Sequence, residues 1–472
     1  MPDSSGIFKE PPSIRVWQVK RANDGLPHVA LKVEASGPRY CFRDENAAYE
    51  DAPVLRVRPG DRFVLRLINE LPRKKHGHDM QMPQRASSCA PMAMTGPKPR
   101  KFMGYLNHVA YERYVAMPDE DVNIHLHGFT GPPSQENVFL SSVTSRACDY
   151  DITIPRTQIP GTYYYHPHAH GVADDEVAQG LSGMWIVEPP ASPFGPDNEH
   201  VAILRYRMPS FVDNNYAPSG ADLENAATTR IRYAETVKPV AYDPFNPPPW
   251  PSAYPMRGPQ TTLDRCAGFF PTPQLSIDGV DAPAHLTVTA NTPQLLRILN
   301  ATSDTFANLK MRNAAGQPVP MHIVARDGTP VGGDTHAPYA HYVTKGNLFF
   351  ADASRADLVL TLQPGEDLTL YSDHACQGPI GEYMLRHDIL TIHGGDAAAH
   401  ANQFASTPLQ PAQNRALALV RYAKAHPALV RKRAIAYTEY ALRNTGKGGN
   451  TLQFFITDIT NTHFSEHPFW PS

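Results

Sequence analysis

The sequence predicts an all-β chain, and three observations carry that prediction. Proline is abundant, 47 of 472 residues; proline breaks helix interiors and marks turns and sheet edges. Apolar residues recur with period two in short runs bounded by turn residues. The length implies roughly two to four domains rather than one core. Hydrophobic residues, at 41%, suffice for proper cores, and charged residues are only 19%. A net charge of −3 points to no nucleic-acid partner. No apolar run is long enough to span a membrane.

Taken in order, the elements read as follows. The N-terminus MPDSSGIFKEPPSIRVW lacks the basic and apolar regions of a signal peptide. Ser13 to Val19 alternates and reads as an edge strand. Val54–Val57 and Arg62–Asn69 flank Pro59-Gly60-Asp61, which reads as strand, turn, strand: a hairpin. Residues 71–120 interrupt the pattern with His76, His78, Met80, Met82, Cys89, Met92, Met94 and Met103. Thioether and imidazole suit Cu(I), so this insertion is either a copper-shuttling loop or a surface loop with flexible apolar contacts. Asp174-Asp175-Glu176 reads as a solvated turn, and Gly183 to Val187 as a buried strand running into a Pro-Pro linker. Residues 212–265 are polar and Pro-rich and read as loop. Gln413 to Ala423 has helical spacing within a connection at 397–432, and strands resume at Ala434–Tyr440 and Gln453–Thr457. The cysteines, Cys41, Cys89, Cys148, Cys266 and Cys376, form no C-x-x-C; their odd number leaves at least one unpaired and the redox compartment open.

The chemistry sits in two histidine pairs. Asn123-Ile124-His125-Leu126-His127-Gly128 is one; Gly161-Thr162-Tyr163-Tyr164-Tyr165-His166-Pro167-His168-Ala169-His170-Gly171 holds the other. On a strand, residues i and i+2 share a face, so each His-x-His aims two imidazoles one way. Neutral imidazole binds copper, zinc, iron and nickel. One such pair is a weak signal, met also among surface histidines. Two pairs on neighbouring strands would converge four imidazoles on one small volume.

The stretch GTYYYHPHAHGVADDEVAQGLSG, Gly161 to Gly183, resembles the end of the first domain of the bacterial multicopper oxidases, the laccase and bilirubin oxidase family. His166, His168, His170, Gly171, Gln179, Gly180, Leu181 and Gly183 carry the resemblance, and HLHG at His125–Gly128 matches a second signature, with Leu126 where the family usually has Trp. The resemblance implies tandem cupredoxin-like Greek-key β-sandwich domains. They would be a first domain at 1–192, a copper-free second domain at 193–396, a connection at 397–432 and the start of a third domain at 433–472. Residues 54–69 resemble the opening hairpin of such a domain. Residues 273–279, 294–301, 322–331 and 353–360 resemble second-domain motifs, whose jobs are structural: turns, strand pairing and an Arg that can bond carbonyls at a domain seam.

The family implies copper as cofactor, with O2 and a phenolic, aromatic or metal-ion electron donor as reaction partners. Reducing O2 to water takes four electrons from one-electron donors, so charge is stored on several coppers. By family position His125 would bind the type 2 copper, and His127, His166 and His168 the type 3 pair. His170 would lie behind them. Glu136, nine residues past His127, lies where relatives keep a proton-donating acid; otherwise it is an exposed loop Glu. The family's trinuclear cluster takes eight histidines, four from a third domain that also carries a type 1 copper. There is no His-Cys-His tripeptide. The chain is therefore expected to be truncated, to hold half a cluster and no type 1 site, and to be inactive alone. The family is usually exported to the periplasm or beyond, which requires a signal outside this sequence; a cytoplasmic location is the alternative. A second reading is a non-catalytic copper-binding or interaction protein on a cupredoxin scaffold.

Overall fold

A computed structural model describes residues 5–36, 39–44, 52–72, 89–91, 122–138, 140–142, 146–168, 173–206, 275–303, 305–373, 375–376, 383–384, 386–397, 404–410, 421–422, 424–426, 435–443 and 450–458. Most of the 71–120 insertion, the loop at 212–265, His170 and most of the helix expected at 413–423 lie outside these residues.

The N-terminal strands are β1 (Ser13–Arg15), β2 (His28–Ser36), β3 (Arg39–Asp44), β4 (Val54–Val57), β5 (Arg62–Asn69), β6 (Ala90–Pro91), β7 (His125–His127), β8 (Leu140–Ser141), β9 (Arg146–Thr153), β10 (Gly161–His166) and β11 (Gly183–Val187), with helix α1 (Ala173–Ala178) before the last. One sheet runs β1-β4-β11-β10-β7 and the other β3-β2-β5-β9. Their inner faces meet around Leu31, Phe42, Leu55, Phe63, Leu65, Tyr163, Tyr165 and Trp185. Each such side chain contributes about 1.5–3 kcal/mol on burial. A disulfide joins Cys89 to Cys148 of β9, and the Cys41 thiol donates to the Glu34 carbonyl (3.7 Å).

A second sandwich follows. Its strands include β12 (Glu199–Tyr206), β13 (Leu275–Ile277), β14 (Val280–Asp281), β15 (Ala284–Ala290), β16 (Gln294–Asn300), β17 (Ala307–Asn313), β18 (Pro318–Val319), β19 (Met321–Arg326), β20 (Thr329–Pro330), β21 (His341–Lys345), β22 (Leu348–Phe350) and β23 (Arg355–Leu360). Then come β24 (Asp367–Asp373), β25 (Ala375–Cys376), β26 (Tyr383–Met384), β27 (His387–Ala397) and β28 (Thr407–Pro408). The sheets run β14-β13-β12-β16-β23-β19-β21-β28 and β15-β27-β24-β17-β18, around a core that includes Ile277, Ile298, Leu309, Phe350 and Leu370. β15 shows the half-buried alternation, whereas β11 and β16 are buried at every position. Both of their faces are covered because the two sandwiches pack together. Val54, Tyr164, Met184 and Ile186 of the first meet Val201, Ile203 and Leu299 of the second. Beyond these, β29 (Ile435–Arg443) and β30 (Asn450–Asp458) pair antiparallel. The all-β class is what forms.

Three local readings need correction. β4 and β5 are not a hairpin: β4 pairs with β1 and β11, and β5 with β2 and β9, in opposite sheets. The Pro59-Gly60-Asp61 turn carries the chain across the sandwich, with Gly60 at φ +94 and its N–H on the Ile154 carbonyl. Alternation reports which face is buried, not which strand is the neighbour. The Ser13–Val19 strand stops at Arg15; Val16–Gln18 is a 3-10 turn that buries Val16 and sets Trp17 under Arg58, 3.9 Å from the ring centroid. Asp174 to Glu176 is part of α1 rather than a turn, and Glu176, read as solvated, is buried there with Val177 and Ala178.

The seam between the sandwiches holds a buried ionic network. Arg297 of β16 donates to Glu199 (2.9 Å), to Asp357 and Thr162 Oγ1 (both 2.8 Å) and to the Tyr339 hydroxyl (2.7 Å). Arg56 of β4 pairs with Glu188 (2.6 Å) and Glu199 (2.8 Å). Burial alone would raise the Glu199 carboxyl, but Arg297 and Arg56 pull it down to about 2. Five charges from both sandwiches are thereby satisfied at one place, which fixes how the two bodies meet.

Candidate metal centre

β7 and β10 pair antiparallel with His125 opposite His166 and His127 opposite Tyr164. This register, with the pleat, builds the site. Leu126 points inward and is 2% exposed, as are the core residues Tyr163 and Tyr165 of β10 (4% and 0%). His125, His127, Tyr164 and His166 project from the other face. A ligand nitrogen from each of His125, His127 and His166 lies within 4.8 Å of the others. His168, two residues past β10's end at His166, joins them: its ring centroid is 5.0 Å from that of His125 and 5.9 Å from that of His166. All four predicted histidines therefore meet at one spot. The Trp-to-Leu change at 126 falls on the opposite, core-facing side.

Several groups hold the rings. His166 Nδ1 lies 2.7 Å from the Pro167 carbonyl, which can only accept, so the proton sits on Nδ1 and the Nε2 lone pair is free. That Nε2 is buried with no hydrogen-bond partner among the described residues. Such an orphan is expensive to leave, and a metal ion would satisfy it. Tyr164 stacks on His166 at 4.3 Å, and Trp185 Nε1 donates to the carbonyls of His127 (3.2 Å) and Tyr164 (3.1 Å). Gly128 at φ +88 turns the chain directly after His127, and Gln158 donates to its carbonyl (3.0 Å).

Glu136 is neither exposed nor idle. Its Oε2 accepts the Leu126 N–H (2.6 Å) and stands 3.2 Å from Nδ1 of His125. One positioning residue, Asn123, escapes sequence reasoning. Asn123 is fully buried; its Oδ1 accepts the His168 N–H (2.6 Å) and its amide donates to Val138 O (2.6 Å). It stands in the quoted motif, but nothing there marks its partner 45 residues on. Arg355 reaches in from the second sandwich.

The electrostatics suit a metal site. Burial, then the Arg355 charge, then the neighbouring imidazoles, lower His127 to about 4. Burial chiefly, with His125 next, takes His166 well below its usual value. Both are neutral at pH 7, the ligand form. Stability follows with a definite sign. From pH 6.5 down to about 4 the unfolded chain protonates His127 while the folded chain does not. Acid therefore favours the unfolded chain in that window. After allowance for partial exposure the copper-free protein should lose about 1–2 kcal/mol there. Thermal melts at pH 7.5 and pH 5 should show it, and His127→Gln should flatten the dependence. The Glu199 contribution is lost only below about 4.5, a separate window.

The fold is a pair of packed β-sandwiches, and the first of them carries a cluster of imidazoles that could hold a metal ion. Residues 113–192 match the family model of the multicopper oxidases. No curated protein matches the chain. Among solved structures it is similar to a variant of the multicopper oxidase McoA from Aquifex aeolicus, at 14% identity over 84% of this chain and 66% of that one, TM-score 0.49. It is similar to the laccase-like CueO of the lignin-degrading Ochrobactrum sp. (15%, 86% and 66%, TM-score 0.46). It is also similar to the multicopper oxidase of Campylobacter jejuni (17%, 84% and 63%, TM-score 0.49). The chain spans just under two thirds of the length of these structures. No helix among the described residues is long and apolar enough to cross a membrane.

Proposed function

We propose that this chain supplies the first-domain half of an oxygen-reducing copper cluster. The intact protein would be a laccase-like oxidase that couples one-electron oxidation of a phenolic, aromatic or metal-ion donor to four-electron reduction of O2 to water. One observation carries the reading: the buried Nε2 of His166 faces other imidazoles with its lone pair unused. His125, His127, His166 and His168 would hold copper, type 2 at His125 and type 3 at the others. Bound copper would supply one-electron steps and a binding place for O2.

The chain's own groups do the rest. The Pro167 carbonyl keeps His166 in the tautomer that presents Nε2. Asn123 fixes the backbone that carries His168. Glu136, with its carboxylate 3.2 Å from Nδ1 of His125, would orient that ring and exchange a proton there. In this reading the remaining imidazoles and a type 1 copper come from a further domain, so the chain alone turns over nothing.

The test is copper content and dye oxidation on the chain as given. Bound copper should fall to background in a variant with all four histidines changed to Gln, and a phenolic dye should stay unoxidised. Sustained turnover would remove the half-cluster reading, and copper uptake unaffected by the fourfold change would remove the site.

A further inference from the structure

Arg355 belongs to β23 of the second sandwich, yet it stands behind the metal site of the first. It is 5% exposed. Its Nη1 donates to the Ala353 carbonyl (2.6 Å), and its Nε reaches across the seam to the carbonyl of Thr162 on β10 (3.5 Å). Gly128, the residue after His127, lies so near that a Cβ there would be 3.8 Å from Arg355 Nη2. Asp327 pairs with it at 3.7 Å and is 48% exposed, so water screens that counter-charge. The cation is thus held by backbone carbonyls; the buried Asp357 also attracts it, but forms its own ion pair with Arg297. Its field falls on His127 and on Tyr163 and Tyr164 of β10.

We infer that Arg355 is a positioning residue that tunes the copper half-site by charge, setting Cu(I) above Cu(II) at His127. The inference rests on the reading that the histidine cluster holds copper. A fixed positive charge repels a doubly charged ion more than a singly charged one, and low local dielectric enlarges the difference. The second sandwich, which offers no imidazole to the cluster among the described residues, would then set its redox preference.

The experiment titrates the full chain and its variants R355Q, R355K and D327N with Cu(I) and with Cu(II) against chromophoric chelators. It reads the ratio of the two dissociation constants. R355Q should favour Cu(II) relative to Cu(I) by about tenfold, from one partly screened unit charge. R355K keeps the charge and should stay near wild type, which a role confined to bracing the seam does not explain. D327N removes the counter-charge and should shift the ratio the opposite way, by about two- to threefold. It retains the fold, because Asn tolerates the left-handed backbone of Asp327, φ 49. The test therefore stands even if R355Q does not fold. Copper uptake by the wild type with a ratio unmoved in R355Q and D327N overturns the inference and leaves the copper reading intact. No uptake by the wild type overturns both.

Discussion

Replacing Arg297 by leucine should destabilise the protein by about 3–5 kcal/mol, the range for breaking a buried ionic cluster from one side. Arg297 is fully buried, and it is the shared partner of Glu199, Asp357, Thr162 and Tyr339. Leucine fills part of the volume but leaves Asp357 without its cation, and leaves Glu199 only Arg56. A lysine in its place should recover little, because one ammonium cannot reach partners spread around a planar fork. Urea unfolding at pH 7 measures this. A loss under 1 kcal/mol for Arg297→Leu would mean the network does not hold the seam. The change should also loosen the first sandwich, since Thr162 lies on β10, the strand that ends in His166.

Gly128→Ala should cost about 2–4 kcal/mol and abolish ordered copper uptake. Gly128 has φ +88, where an L side chain is strained, and its new Cβ would lie 2.6 Å from the Tyr163 ring. Tyr163 cannot retreat easily: it stacks on Trp185 at 4.5 Å and donates its hydroxyl to the Ile159 carbonyl (2.7 Å). The backbone at 127–128 must give instead, and His127 moves with it. Copper stoichiometry beside a thermal melt separates the two effects. A variant that melts early yet binds copper like wild type would show that this turn does not set the ligand geometry.

Much of the site could be read from the sequence because its logic is local. A His-x-His on a strand places both rings on one side, and the aromatic run before His166 marks that strand. What the sequence lacked was adjacency. The meeting of His125 with His166 depends on the pairing of β7 with β10, which only the folded chain supplies. The same gap explains the mistaken hairpin at 54–69, where alternation was right and the partners were wrong. It also hid Arg297, whose partners at Thr162 and Asp357 lie 135 and 60 residues away. Asn123 went unassigned for the same reason. Glu136 was singled out by family position, and the structure shows its carboxylate 3.2 Å from Nδ1 of His125 rather than exposed in a loop.

The pleat of β7 and β10 has an evolutionary corollary. Ring-bearing positions and core-filling positions alternate along the same few residues, yet they answer to different neighbours. Positions such as Leu126 can drift among apolar side chains as the interior repacks, while the imidazoles one residue to either side are held by chemistry. Relatives should therefore diverge in a comb-like pattern here, variable teeth between fixed ones, and a scan of single substitutions along His125–Gly128 would trace it directly.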